Sequence, residues 1–179
     1  MPRTVNQLVI HHSASLSGTV ESIRKEHMAR KPPFSDIGYH YVIGNGHGLP
    51  DGHIAEGRPE DIQGSGVKLN NRWKLQVCLI GDFEKGDPFY TGLPTQAQYA
   101  ALGHWLLVKG KQYRNAKTGA FPTVVGHKEV ALPKSPTACP GNQFPLQLIR
   151  LWYNRAIQEQ KAGKTPVGLD VFIAQHKKG

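Results

Sequence analysis

The sequence of 179 residues has only two cysteines, Cys78 and Cys139, and no apolar run of the length that a membrane span requires. A membrane-spanning helix needs about 20 consecutive apolar residues. A disulfide framework in a chain of this length needs more than two cysteines. The sequence therefore predicts neither a transmembrane segment nor a disulfide-stapled scaffold, and each cysteine needs its own explanation.

Acidic residues are also scarce, since 13 Asp and Glu stand against 22 Lys and Arg and the formal net charge is +9. Such a balance attracts anionic partners, including nucleic acid, acidic membranes and other anionic polymers. The cations are scattered along the chain, without an arginine-rich run or a recognisable nucleic-acid-binding module. We therefore expect no nucleic-acid partner. The sequence does not determine the oligomeric state, for which a monomer is the expectation.

The amino-terminal region lacks the apolar core of a signal peptide. Its first apolar segment, residues 8–10, leads directly into polar residues. A signal-peptide core needs about 7–15 apolar residues. We therefore expect the protein to be cytoplasmic at synthesis.

Hydrophobic patterning predicts strands that alternate with helices along most of the chain. The predicted strands are residues 6–12, 39–43, 75–80 and 121–125, and the predicted helices are residues 19–30, 95–110 and 145–160. Thr95 and Gln98 have the spacing of a capping box, and Gly110 is expected to end that helix. Residues 52–66 are expected to be irregular. This order predicts an α/β fold with a central sheet flanked by helices.

The length suits one folded domain with its own core. We place its carboxyl-terminal boundary at residue 160, because residues 161–168 contain Gly163, Pro166 and Gly168 and are typical of a linker. The last eleven residues are expected to form one short turn or to remain mobile. The prediction is therefore a domain over residues 1–160, followed by a linker and short tail over residues 161–179.

Three candidate metal ligands lie where predicted elements end. His11 or His12 closes the first strand, His127 follows the strand at 121–125, and Cys139 lies in the segment PTACPG. Two imidazoles and one thiolate suit zinc, and three protein ligands leave a fourth position open, as in catalytic sites. The spacing matches no zinc-finger pattern. Residue chemistry alone therefore leaves the choice open between a metal site and unrelated packed side chains.

Five blocks of the sequence resemble, in order, the blocks of the type-2 N-acetylmuramoyl-L-alanine amidase family. They are LVIHHSAS, IRKEHMARKPPFSDIGYHYVIGNGHG, VCLIGDF, VVGHKEV and PTACPG, spread between about residues 6 and 155. The family includes phage lysozyme-amidases and animal peptidoglycan recognition proteins. The resemblance implies a peptidoglycan recognition protein-like amidase fold with a central mixed β-sheet, and a zinc amidase catalytic domain over residues 1–160.

The resemblance also implies the roles of individual residues. His11, His127 and Cys139 correspond to the zinc ligands, and Tyr39 to the catalytic tyrosine. Thr137 is a candidate donor to the oxyanion of the reaction, and no general base is identified. His12 points to the other side of the strand if the pleat holds, which favours a packing or supporting role. The partners of the ligating imidazoles are expected among other histidines, with His27 and His40 the best candidates.

The implied function is zinc-dependent hydrolysis of the amide between N-acetylmuramic acid and L-alanine in bacterial peptidoglycan, carried out by a phage or prophage lysin acting on the cell wall. A cytosolic amidase that recycles soluble muropeptides is one alternative. A module that binds peptidoglycan without cutting it is the other, and Cys139 is the residue that discriminates, because non-catalytic relatives lack it.

Two segments depart from the family pattern. Residues 132–135 look like an insertion between His127 and Cys139, and Gly64-Ser65-Gly66 stands where Gly-Ala-His is common. We expect both changes to lie in cleft loops and to affect substrate preference more than metal binding.

Overall fold

A computed structural model describes residues 3–176 of the protein. The strands are β1 (Gln7–His12), β2 (Tyr41–Ile43), β3 (Ile54–Glu56), β4 (Lys74–Leu79) and β5 (Thr123–Gly126). The helices are α1 (Val20–Met28), α2 (Gln96–Gln112), α3 (His127–Val130), α4 (Leu146–Lys161) and α5 (Leu169–His176). No helix within residues 3–176 is long and apolar enough to cross a lipid bilayer.

The five strands form one mixed sheet in the order β3-β2-β4-β1-β5. The strand β1 pairs in parallel with both β4 and β5, β2 pairs in parallel with β4, and β3 is antiparallel to β2. The predicted α/β fold with a central mixed sheet and flanking helices is confirmed. Because parallel strands end at the same edge of a sheet, the segments that follow β1, β4 and β5 meet there.

The two faces of the sheet carry different side chains. On one face, Leu8 and Ile10 of β1 pack in a core with residues of α2, α4 and α5, including Leu102, Trp105 and Trp152. Side chains alternate along a strand, so Val9 and His11 point to the opposite face. A smaller core lies at that second face, formed by Ile23, Ile37, Val42 and Ile80. The site described below therefore lies on the face that the long helices leave open.

The end of α2 and the segment that precedes β4 differ from the sequence prediction. The helix α2 continues to Gln112, so Gly110 does not end it. Gly110 is buried, and a Cβ atom there would overlap the hydroxyl group of Tyr153 on α4, so this glycine permits close helix packing. Within the segment expected to be irregular, Ile54–Glu56 forms an edge strand. Three residues are too few to show a strand's alternation, which is why the pattern did not reveal it.

The predicted starts of α1 and α2 are confirmed by the residues that cap them. Thr95 accepts a hydrogen bond from the amide of Gln98, whose side chain accepts one from the amide of Thr95. At α1, Thr19 and Ser22 form the same reciprocal pair. These bonds satisfy amide groups that the first helical turn cannot satisfy itself.

The segment between β3 and β4 crosses the open face of the sheet and is held there by Arg58. This buried guanidinium donates hydrogen bonds to the carbonyl groups of Ile37 at 2.7 Å, Gln63 at 2.9 Å and Asp36 at 3.0 Å. Hydrogen bonds to a charged donor are stronger than neutral ones. Arg58 therefore fixes the chain that precedes β2 against the chain that follows β3.

Residues 169–176 form a two-turn helix where the sequence suggested one short turn or a mobile tail, and the last three residues of that expectation lie outside the described part of the chain. Leu169, Phe172 and Ile173 of α5 are buried in the main core, and the indole nitrogen of Trp152 donates to the carbonyl of Val167 at 2.8 Å. The division into a domain over residues 1–160 and a tail stays a prediction. We propose that α5 is needed for the stability of that domain.

Replacing Phe172 with alanine tests this proposal. The ring is 1% exposed, so we expect the free energy of unfolding to fall by about 3–5 kcal/mol, the usual cost of deleting a buried aromatic ring. Chemical denaturation with urea measures it. Val171→Ala on the same helix is the control, because Val171 is 45% exposed and should cost little. Equal stabilities for the two variants would contradict a structural role for α5.

Candidate metal centre

Three of the predicted site residues meet at the carboxyl edge of the sheet. His11, His127 and Cys139 each offer one ligand atom, and these atoms all lie within 4.8 Å of one another. Nδ1 of His11 is 3.7 Å from Sγ of Cys139, and the two imidazole centroids are 4.7 Å apart. Tetrahedral zinc, with bonds of about 2.3 Å to sulfur and about 2.0–2.1 Å to nitrogen, would place such a pair of atoms about 3.6 Å apart. The spacing therefore fits a shared metal ion.

Different parts of the fold supply the three side chains. His11 is the fifth residue of β1, while His127 begins α3 immediately after β5. Cys139 lies in the following turn, which is tied to α3 because the amide of Lys128 donates to the carbonyl of Cys139 at 2.8 Å. Adjacent parallel strands thus bring the two histidines together, and one backbone hydrogen bond holds the cysteine beside them.

The thiol of Cys139 is buried, and its sulfur accepts a hydrogen bond from the amide of His12 at 3.4 Å. Burial raises the pKa of Cys139 to about 12, although the amide of His12 and the charge of Lys128 act in the opposite direction. The metal-free side chain is therefore a protonated thiol near neutral pH. Binding of a metal ion must displace that proton, since the thiolate is the ligand.

Both imidazoles are neutral near pH 7. Burial, followed by repulsion from His127, lowers the pKa of His11 well below its usual value. Burial likewise lowers the pKa of His127 to about 4. A neutral imidazole has one nitrogen lone pair available for a metal, whereas the protonated form has none. The two histidines are therefore in the form that metal binding requires.

His12 does not belong to this cluster. Its Nδ1 accepts a hydrogen bond from the amide of Phe83 at 3.2 Å and lies 3.5 Å from Oδ1 of Asp82. Its contribution to the site is made through its backbone amide, which reaches the sulfur of Cys139. The structure thus separates the two neighbouring histidines, because a strand directs successive side chains to opposite faces.

Tyr39 lies beside the cluster, just before β2. Its ring centroid is 4.8 Å from that of His11 and 5.2 Å from that of His27, which it meets edge-on. Burial raises the pKa of Tyr39 well above its usual value. The phenol therefore stays protonated at neutral pH and can donate a hydrogen bond but cannot act as a base.

Thr137 lies two residues before the cysteine and shapes its turn. Its Oγ1 accepts a hydrogen bond from the amide of Cys139 at 3.2 Å. A hydroxyl group that accepts one bond keeps its own proton for donation.

A carboxylate near the cluster could serve as a general base. Within residues 3–176, Glu129 is the nearest carboxylate in sequence to His127, and it accepts from the amide of Gly126 and pairs with Arg150. No Asp or Glu joins the three-residue cluster in this described part of the chain.

The hydrogen-bond partner of His11 is a residue that sequence analysis missed. Nε2 of His11 lies 3.0 Å from Oε1 of Gln76, a fully buried side chain of β4. The histidines expected in this role bond elsewhere: Nδ1 of His27 accepts from the amide of Gly38, and Nδ1 of His40 accepts from the amide of Gln76. The available signal was a single amide side chain within the apolar run of β4, at a position that faces the same side as His11.

The two departures from the family pattern occupy different environments. Residues 132–135 form a surface turn closed by a hydrogen bond from the amide of Ser135 to the carbonyl of Leu132 at 2.8 Å. Gly66, in contrast, lies against the cluster, since a Cβ atom there would be 3.1 Å from Cε1 of His11. The change at residues 64–66 therefore concerns the surroundings of a candidate ligand, and its effect on substrate preference and metal binding stays a prediction.

Comparison with known proteins identifies the family to which this chain belongs. Residues 1–142 match the sequence model of the N-acetylmuramoyl-L-alanine amidase family, and this span contains every candidate site residue. The chain belongs to this family, which confirms the resemblance found in the sequence.

Individual relatives support the same conclusion. The chain is 34% identical to an endolysin of Klebsiella phage KP32 over 139 residues, covering 75% of this chain and 80% of the relative. It is 32% identical to a peptidoglycan-recognition protein of Drosophila melanogaster over 165 residues, covering 86% of this chain and 79% of that relative. Among solved structures, the N-acetylmuramoyl-L-alanine amidase LysC from Clostridium intestinale superposes with a TM-score of 0.65 at 26% identity, covering 91% of this chain and 88% of LysC.

Proposed function

We propose that the protein is a zinc-dependent N-acetylmuramoyl-L-alanine amidase, which hydrolyses the amide joining N-acetylmuramic acid to L-alanine in bacterial peptidoglycan. The single observation that carries the proposal is the cluster of His11, His127 and Cys139 in a chain of the amidase family. Relatives include endolysins and peptidoglycan-recognition proteins, so family membership alone supports either cleavage or binding of peptidoglycan. The cluster favours cleavage, because binding alone needs no metal-activated nucleophile.

His11, His127 and Cys139 would hold the zinc ion, with the Cys139 thiolate supplying the one negative charge among the three ligands. This donor set matches the nitrogen and sulfur preference of zinc and leaves room for a fourth, non-protein ligand. When bound, zinc supplies a nucleophile at neutral pH, because it lowers the pKa of water from about 15.7 towards about 7. The side chains of His11, His127 and Cys139 would hold the ion at the carboxyl edge of the sheet.

The protein's own contribution to the hydrolysis step is to position hydrogen-bond donors. Attack on the amide carbonyl places negative charge on its oxygen, and donors directed at that oxygen lower the barrier. We assign this role to the phenol of Tyr39, whose pKa is raised by burial and which therefore holds its proton. The hydroxyl of Thr137, which is beside Cys139 and retains its proton, is the second candidate donor.

We further propose that the enzyme is a phage or prophage lysin acting on the cell wall. Two phage endolysins, from Klebsiella phage KP32 and Enterobacteria phage K11, are 34% and 32% identical to it. The formal charge of +9 also favours a polymeric substrate, since an anionic wall would concentrate a cationic enzyme at its surface. A recycling amidase would instead prefer soluble muropeptides, so the ratio of activities on sacculi and on free muropeptides separates the two roles.

Product analysis tests the proposed reaction. Protein loaded with zinc is expected to bind about one ion per chain and to release stem peptides with free L-alanine amino groups from purified sacculi. Mass spectrometry identifies the peptides, and a reducing-sugar assay should remain at its background level. New reducing ends would show glycosidase chemistry. Retained binding of sacculi without any peptide release from the zinc-loaded protein would support the binding-module alternative.

A further inference from the structure

Gln76 is a buried polar side chain for which the amidase proposal provides no role. It belongs to β4, opposite Val9 of β1 in the register, and points to the same face of the sheet as His11. Both ends of its amide are bonded: Oε1 lies 3.0 Å from Nε2 of His11, and Nε2 donates to Oδ1 of Asn71 at 2.9 Å. The amide of Gln76 is buried, and its two hydrogen bonds go to the candidate ligand His11 and to Asn71. This arrangement needs an explanation.

Three hydrogen bonds link Val67 to Asn71, Asn71 to Gln76 and Gln76 to His11. The backbone amide of Val67 fixes the direction of each of them. Its amide, which can only donate, lies 2.8 Å from Oδ1 of Asn71, so that atom must be the carbonyl oxygen. The same oxygen of Asn71 also contacts the side chain of Gln76, and it can only accept there. The group of Gln76 that faces Asn71 must therefore be its NH2 group. The remaining oxygen of Gln76 therefore faces His11.

The tautomer of His11 follows from that orientation. Because Oε1 of Gln76 can only accept, Nε2 of His11 must carry the proton and donate it. The neutral imidazole then has its lone pair on Nδ1, the nitrogen that lies 3.7 Å from the sulfur of Cys139. The backbone amide of Val67 thus determines, through two side chains, which nitrogen of His11 is available to a metal.

We propose that Gln76 is a positioning residue of the metal centre, which holds the ring of His11 in place and fixes its Nε2–H tautomer so that Nδ1 faces the ion. The proposal rests on the proposed function at one point, the assignment of His11 as a ligand. Ligating histidines commonly donate their second nitrogen to a carboxylate or carbonyl oxygen, which sets the tautomer and the ring orientation. In this protein, the side-chain carbonyl of Gln76 is the oxygen that accepts this hydrogen bond from His11.

The glycines at residues 64 and 66 lie against the amide of Gln76. A Cβ atom at Gly66 would overlap Oε1 of Gln76, and one at Gly64 would be 2.5 Å from its Nε2. The backbone of this segment therefore packs directly against the amide. The space that a side chain at position 66 would need is taken by Gln76, so the departure from the family's Gly-Ala-His and the buried glutamine are two parts of one arrangement.

Replacing Gln76 with methionine tests the inference, because methionine has a similar length and no carbonyl group. We expect the dissociation constant for zinc to rise about 10–100-fold, as is typical when a supporting hydrogen bond to a ligand is lost. Titration against a chelator of known affinity measures it. The matched control is Gln98→Met: Gln98 is equally buried, but its amide donates to the carbonyls of Ile43 and Ile80, and zinc affinity should be unchanged.

A second pair of variants tests the assigned direction of the hydrogen bonds and does not depend on Gln76→Met folding. Asn71→Asp keeps an oxygen that only accepts, so zinc affinity should match that of the original protein, whereas Asn71→Leu should weaken it. Nitrogen NMR of the metal-free protein should show His11 as the Nε2–H tautomer, and as a mixture of tautomers in Gln76→Met. Zinc binding by the original protein with no change in Gln76→Met would overturn this inference and leave the amidase proposal intact. Absence of zinc binding by the original protein would instead refute the amidase proposal.

Discussion

Cys139→Ser is expected to lose zinc binding and amide hydrolysis together. The sulfur of Cys139 lies 3.7 Å from Nδ1 of His11 and is the only ligand atom in the cluster that can carry a negative charge. A serine hydroxyl is a far poorer zinc ligand because it does not ionise under conditions in which a metal-bound thiol does. We expect the loss of zinc affinity to exceed the roughly 10–100-fold that follows a change in a supporting residue.

The other cysteine provides the matched control. Cys78 is buried in β4 and belongs to no metal-binding cluster within residues 3–176, so Cys78→Ala should retain zinc. Metal content after dialysis and peptide release from sacculi are measured on both variants, with circular dichroism to establish that each is folded. A folded Cys139→Ser variant with full turnover would show that the metal centre is assigned wrongly.

Proton release distinguishes loss of the ligand from general damage to the site. The pKa of Cys139 is about 12 in the metal-free protein, while the pKa values of His11 and His127 are lowered, so only the thiol has a proton to lose near pH 7. Zinc uptake should therefore release about one proton per chain. Calorimetry in buffers of different ionisation enthalpy measures that number. Any residual metal uptake by Cys139→Ser should occur without this release.

Local sequence signals were sufficient for most of the fold, because each long element has both a periodic apolar pattern and a defined end. Thr95 and Gln98 predicted the start of α2 correctly, since a capping box acts over only three residues. The prediction that Gly110 ends α2 was wrong, because the sequence alone does not distinguish a glycine that ends a helix from one that makes room for a neighbouring ring. What separates them is the position of Tyr153 on another helix, far from Gly110 in the sequence. Information of that kind belongs to the tertiary structure.

The same distinction applies to the site. His11 and His127 follow strands that are neighbours in a parallel sheet, so their convergence could be expected once the order of the strands was known. Resemblance to the amidase family singled out these residues together with Cys139. The support from Gln76, Asn71 and Val67 could not be deduced in this way, because it depends on how a segment without regular structure crosses the open face of the sheet. A single amide in a buried apolar strand was the one available sign of it.

Tyr39→Phe should retain zinc and lose most of the rate. The ring of Tyr39 packs at 4.8 Å from His11 and 5.2 Å from His27, and phenylalanine preserves both contacts while removing only the hydroxyl. If that hydroxyl donates to the developing oxyanion, its loss should lower kcat about 10²–10³-fold, the usual effect of removing one such donor. KM should change little, because the interaction strengthens in the transition state and not in the bound substrate.

The pH dependence of kcat separates this role from that of a base. Burial raises the pKa of Tyr39 well above its usual value, so the phenol remains protonated across the neutral range and does not titrate there. The residual activity of Tyr39→Phe should therefore have a pH profile of the same shape as that of the original enzyme. Tyr90→Phe is the control, since Tyr90 is 37% exposed. Unchanged kcat would remove Tyr39 from the mechanism, whereas disappearance of one limb of the profile would show that its phenol transfers a proton.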